Sequence, residues 1–164
     1  MSTEEFDAAY QHAQSNYQQA MELMNADGPF MKALPEKIQS INKKIKHMIA
    51  ELANCKTGPE AMQRVLLFKD LVTGFDTLYA NLLTFFDETT PLWVHNKELL
   101  ELYAKHSQPG NHLPTTQQGA SEWVTQLNET TTVLLSNYRQ LNARIVPLRQ
   151  SYNRLMQQAQ PYLN

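Results

Sequence analysis

The side chains of this chain that could do chemistry are five histidines, one cysteine and a few adjacent carboxylates. A di-iron helical bundle needs Glu-x-x-His pairs that aim ligands inward from one helical face. The residues three before His12, His47, His95, His106 and His112 are Ala9, Lys44, Leu92, Tyr103 and Pro109. None is acidic, so that centre is not encoded. The sequence holds no HExxH, no CxxC and no EF-hand loop, the spacings that zinc and calcium sites use. His106 and His112 lie closest together, in HSQPGNHLPTTQQGAS at 106–121, and read as solvated histidines of a connection. GxGxxG and GxxxxGK[ST] are both missing, so there is no glycine-rich cradle for phosphates.

Cys55 ends an apolar stripe and is expected to be a core thiol rather than a nucleophile, since a reactive cysteine needs an electropositive, accessible setting. Asp87-Glu88 precedes an expected helix start, where carboxylates favour the helix dipole. The sequon Asn128-Glu129-Thr130 reads as fortuitous, because MSTEEFDAAYQ lacks the basic and apolar regions of a signal peptide. No catalytic, cofactor or metal residue is assigned, and the protein is expected not to be an enzyme.

The elements that must carry any binding surface follow from apolar spacing. Phe6, Tyr10, Ala13, Tyr17, Ala20 and Met24 step by four and three, and Met31, Leu34, Ile38, Ile41, Ile45, Met48 and Leu52 resume the same phase. Such spacing puts one narrow stripe on one helix face. Asp27 alone breaks the series. In KTGPEA at 56–61, Gly58 ends the first arm, Pro59 takes the first helical position of the next, and Glu60 faces the positive end of its dipole.

The second arm carries one stripe through Val65, Phe68, Val72, Phe75, Tyr79, Leu82 and Phe86, and another through Leu67, Leu71, Leu78 and Phe85. A new helix is expected at Pro91, capped by Thr90. The third arm runs from Val124 through Leu127, Thr131, Leu134, Tyr138, Leu141, Ile145, Leu148, Tyr152, Leu155 and Ala159 to Tyr162, with Pro147 inside it.

The expected fold is all-α: an elongated antiparallel bundle of three long proline-kinked arms, about 3–55, 59–106 and 118–162, forming a single domain over 1–164. A four- or five-helix bundle arises instead if Asp-Gly-Pro makes NADGPF at 25–30 a full reversal. The 107–120 segment is expected to be a plain strap between the second and third arms.

Net charge is −2, which gives no bulk attraction to nucleic acid. Along the chain the sign alternates: −5 over 1–28, +4 over 29–56, −3 over 57–106 and +2 over 107–164. Such alternation is expected to favour pairing of successive segments. Lys43, Lys44 and Lys46 form the densest basic run and are the candidate contact for an anionic partner. The arginines 139, 144, 149 and 154 rotate by about 140° at each step, so they form no single track.

LLTFFDETTPLWV at 82–94 gathers large apolar groups around an expected helix break. Phe85, Phe86 and Trp93 are therefore the candidate partner surface, because exposed aromatic clusters anchor interfaces. The expected function is a non-enzymatic interaction module, an adaptor, assembly subunit or secreted effector, that binds a protein partner or itself. Two other classes compete: a membrane-surface-binding helical dimer with a basic face, and a bundle that holds a small molecule near Trp93 and Trp123. Neither nucleic acid nor a cofactor is expected. A cytoplasmic setting is expected, with signal-less secretion as the alternative.

Overall fold

Serine and glutamate begin the fold. The Ser2 hydroxyl accepts from the Glu5 amide at 3.1 Å, and the Ser2 amide donates back to the Glu5 carboxylate at 3.2 Å. This reciprocal box satisfies two backbone donors that a helix start leaves open. In the computed structural model, which describes residues 2–55, 58–107 and 116–163, helix α1 runs from there as Thr3–Cys55. Helix α2 is Pro59–Ser107 and helix α3 is Gln117–Ala159, followed by a single 3₁₀ turn, Gln160–Tyr162. There is no strand among the described residues. The fold is all-α with three long helices, and its bounds fall within a few residues of the arms read from the apolar spacing. None of the described helices is long and apolar enough to cross a membrane.

The three-arm reading holds over its alternative at 25–30, where the chain does not reverse: α1 passes unbroken through Gly28, Pro29 and Pro35. Gly28 has no positive φ, whereas Gly58, at φ +144°, does. Asp27 explains the difference, since it does not cap a turn. It is buried at 4 % exposure on the apolar stripe and accepts from Asn142 Nδ2 of α3 at 2.9 Å. One local expectation is corrected: no helix begins at Pro91, because α2 continues through it. Thr89 is buried and receives the Trp93 indole N–H at 3.1 Å, one turn along the same helix.

The contacts divide the chain into two compact units, each built from a part of all three helices. Unit 1 comprises Met1–Gly28 and Glu88–Ala143. Its α1 and α3 parts run parallel, since His12 meets Asn128, Asn16 meets Thr132 and Asp27 meets Asn142. Unit 2 comprises Pro29–Asp87 and Arg144–Asn164. There α1 and α2 are antiparallel, as the pairs Gln39–Tyr79 and Asn42–Asp76 show.

The core of unit 2 is made by Met31, Leu34, Ile38 and Ile45 of α1, Phe68, Leu71, Phe75, Leu78, Leu82 and Phe85 of α2, and Ile145 and Leu155 of α3. The core of unit 1 is leaner. Ala13, Ala20, Val124, Leu127, Leu134 and Leu141 share it with buried Asn16, Asn96, Asn137, Thr130 and Thr131. The small alanines let helices approach closely. The amides and hydroxyls must then find partners inside, because an unpaired buried polar group costs about 1–3 kcal/mol.

In α2 the buried midline draws on both expected stripes: 68, 71, 75, 78, 82, 85, 89 and 96. Steps of three and four continue through Thr89, and Asn96 falls in the same phase. The wide apolar face therefore reduces to one seam, with Val65, Val72, Tyr79 and Phe86 half-buried on its flanks.

Candidate functional site

Of the candidate partner surface, Phe85 is buried at 2 % exposure and belongs to the core of unit 2. It cannot anchor a partner without unpacking that core. Its ring meets Phe86 edge-on at 5.7 Å, and the Arg144 guanidinium lies over it at 5.5 Å. Phe86 is half-buried. Trp93 belongs to unit 1, where it is half-buried with its ring edge against Tyr138 at 6.3 Å. The expected helix break at 89–91 is not formed; α2 continues, with Phe85 on its buried seam and Phe86 and Trp93 half-buried beside it.

Trp123 is likewise engaged. Its indole N–H donates to the His106 carbonyl at 3.3 Å, and its ring stacks with Phe6 and Tyr10. His112, with the rest of 108–115 in the 106–121 connection, and the Cys55 side chain lie outside the described residues. Thr116 at the end of that connection caps α3, its hydroxyl accepting from the Gly119 amide at 3.0 Å. Among the described residues no three His, Cys, Asp or Glu side chains group so as to hold a metal ion. The sequon asparagine is a helix clamp: Asn128 Nδ2 donates to the Ala9 carbonyl at 2.7 Å, and Asn128 Oδ1 meets His12 Nδ1 at 2.9 Å.

What the structure does present is an apolar groove in unit 2. Met48 and Leu52 of α1, Phe68 of α2, and Pro161 and Tyr162 of the terminal turn line it, around a volume of about 540 Å³. Glu51 and Arg64 supply charge at its rim. The Tyr162 ring stands edge-on to Phe68 at 5.1 Å, and Arg64 lies 5.6 Å over the Tyr162 centroid. Phe68 is buried, while Met48, Leu52 and Tyr162 are half-exposed, so the groove has a firm floor and open walls. On the outer face of α2 the same unit exposes Met62 at 67 % and Leu66 at 57 %. These are one turn apart and so form one patch. The signal for this site was present in sequence: Met48 and Leu52 lie near the end of the α1 stripe and Tyr162 closes that of α3. What the stripes do not reveal is that too few neighbours cover their ends.

A second groove in unit 2, of about 410 Å³, is polar. Lys43 and Lys46 line it with Asn42, Asp76 and Tyr79. Lys44 is exposed but is not part of that lining. Asn42 is buried at 7 % exposure and donates Nδ2 to Asp76 at 2.6 Å. With Nδ2 donating there, Asn42 Oδ1 is left buried without a partner.

Unit 1 has its own amide relay. Asn137 Nδ2 donates to Asn96 Oδ1 at 2.9 Å and faces His95 Nδ1 at 3.4 Å, a nitrogen that accepts only while unprotonated. Asn96, at 1 % exposure, keeps Nδ2 unpaired. Burial raises the Tyr138 phenol above its ordinary pKa, with Tyr17 adding to the shift. Tyr103 is raised by burial first and then by Tyr17, which stacks on it at 3.9 Å, and by Tyr10.

Of the successive segments, 1–28 and 29–56 follow each other along α1 in different units, whereas 29–56 meets 57–106 at Gln39–Tyr79 and Asn42–Asp76, and 57–106 meets 107–164 at Asn96–Asn137. The units still differ in net charge. Unit 1 has ten acids and three bases, a net of −7, and unit 2 has six acids and eleven bases, a net of +5. Against known proteins, the chain matches no family model, no curated protein and no solved structure.

Proposed function

We propose that this protein is a non-enzymatic helical interaction module that receives an amphipathic helix of a protein partner in the apolar groove of unit 2. The observation that carries this is the groove itself: apolar walls of Met48, Leu52, Pro161 and Tyr162, a Phe68 floor and a charged rim. A partner helix offers apolar residues at i, i+3 and i+4 to such a groove and keeps its polar face in water. Glu51 and Arg64 at the rim select orientation more than they add affinity. The surface expected at Phe85, Phe86 and Trp93 gives way to this one.

The test compares wild type with a Met48→Asp/Leu52→Asp variant in affinity capture from the native source, followed by calorimetry with the captured segment. Both positions are half-exposed, so the carboxylates can hydrate without unfolding the unit. The expected result is loss of capture, an affinity reduced by at least about tenfold, and a negative heat-capacity change for the wild-type complex. Equal capture by both proteins overturns the proposal.

A further inference from the structure

The two units carry opposite charge, −7 against +5, although the whole chain is close to neutral at −2. Such segregation costs energy within each unit, because like charges repel across its surface. Several of the exposed side chains behind it stand outside ion pairs. In unit 1, Asp7, Glu22, Glu98 and Glu101 are exposed, and in unit 2, Lys37, Lys43, Lys44 and Lys46 are. Among the described residues none of these eight is held in an ion pair. A polyanion drawn to the basic unit would be repelled by the acidic one, and a polycation would meet the converse. A partner that carries both signs, segregated the same way, relieves both.

From this complementarity we propose that the partner of the charged units is a second copy of this chain, the acidic unit of each copy docking on the basic unit of the other. A two-fold pair makes that contact twice and leaves neither charged unit unmatched. The attraction is carried by exposed charges, so it is screened as the Debye length shrinks from about 20 Å at low salt to about 4 Å near half-molar salt. The pairing rests on the charge distribution and not on the apolar groove, so the two proposals can fail separately.

Solution mass of the full chain, by light scattering or sedimentation, decides the matter. At low salt the expected mass is twice the 18.9 kDa of the chain. It should fall to one chain at high salt, with the dissociation constant rising at least about tenfold. Two charge-inverted variants sharpen the test: Lys37→Glu/Lys43→Glu/Lys44→Glu/Lys46→Glu and Asp7→Lys/Glu22→Lys/Glu98→Lys/Glu101→Lys. All eight positions are exposed, and circular dichroism checks that each variant is helical. Each alone should be monomeric at every salt concentration, and an equimolar mixture should regain the pair. A Met62→Ser/Leu66→Ser variant should pair as wild type does. A wild-type monomer at low salt overturns the proposal, as do growth beyond two chains, a pair indifferent to salt, or failure of the mixed variants to associate.

Discussion

Replacing both Gly28 and Pro29 by alanine should stabilise the protein. The pair lies inside α1, yet it has the composition of a turn. A Cβ at position 28 would meet nothing within 4 Å outside the helix itself and its chain neighbours, and Gly28 has no positive φ. Alanine in place of an interior helical glycine gains about 1 kcal/mol. Proline 29 deprives the Asn25 carbonyl of its helical donor. Restoring that amide gains about 1 kcal/mol for an exposed hydrogen bond and up to about 3 on the full helix-propensity scale. Against this, removing proline frees the unfolded chain, which costs up to about 1 kcal/mol.

Both residues must change together, because a Cβ before a proline disfavours the α region. The net is about 2 kcal/mol, which for a chain of this size raises Tm by roughly 4–8 °C. Thermal unfolding followed by circular dichroism measures it. If Asp-Gly-Pro were a reversal, alanine would be strained there and Tm would fall. A lower Tm would therefore refute the continuity of α1.

Three further outcomes follow from the buried polar groups. Asn42→Leu removes the orphaned Oδ1 and leaves exposed Asp76 to water, so stability should rise by about 1–2 kcal/mol, read as a higher urea midpoint at unchanged slope. Asn137→Leu alone strands Asn96 and should cost about 1–3 kcal/mol, whereas the Asn96→Leu/Asn137→Leu pair should cost less than the sum of the singles, a double-mutant cycle giving coupling of about 1 kcal/mol or more. Tyr103, Tyr138 and Tyr152 titrate above the ordinary tyrosine value in the folded state. The folded protein thus holds protons that the unfolded chain releases. Stability is full below pH about 10 and falls as pH rises through the raised values. Tyrosinate absorbance should lag in the native protein, and Tyr138→Phe should reduce the alkaline loss.

How far the sequence could be read is clear from particular residues. Helix bounds were legible because apolar steps of three and four persist through α1 and α3, and because Gly58 and Pro59 punctuate the first connection. Asp27, Gly28 and Pro29 misled only in part, since their turn chemistry is local and is overruled by the stripe on either side and by Asn142. The α2 seam was hidden by Thr89 and Asn96, polar residues in apolar positions whose partners, Trp93 and Asn137, are visible only once packed.

The arginines of α3 form no track, and three of them serve different neighbours, Arg144 lying over Phe85. Arg139 donates to Gln19 Oε1 at 3.0 Å, and Arg149 lies 4.3 Å over the Phe30 ring. Of the candidate aromatics, Phe85 lies in the core, because aromatic density in sequence marks what most needs burial. The apolar groove lies where stripes run out of neighbours, at Met48, Leu52 and Tyr162.

Site-specific photocrosslinking in the native cell tests the interaction module most directly. A benzophenone side chain at position 52 lines the apolar groove, and one at Val133, exposed in unit 1, serves as comparison. The predicted result is a discrete adduct from position 52 that is missing at 133, disappears in the Met48→Asp background, and maps to a segment of another protein with apolar residues at helical spacing. The same adducts from both positions, or adducts that survive the charged groove, would contradict it.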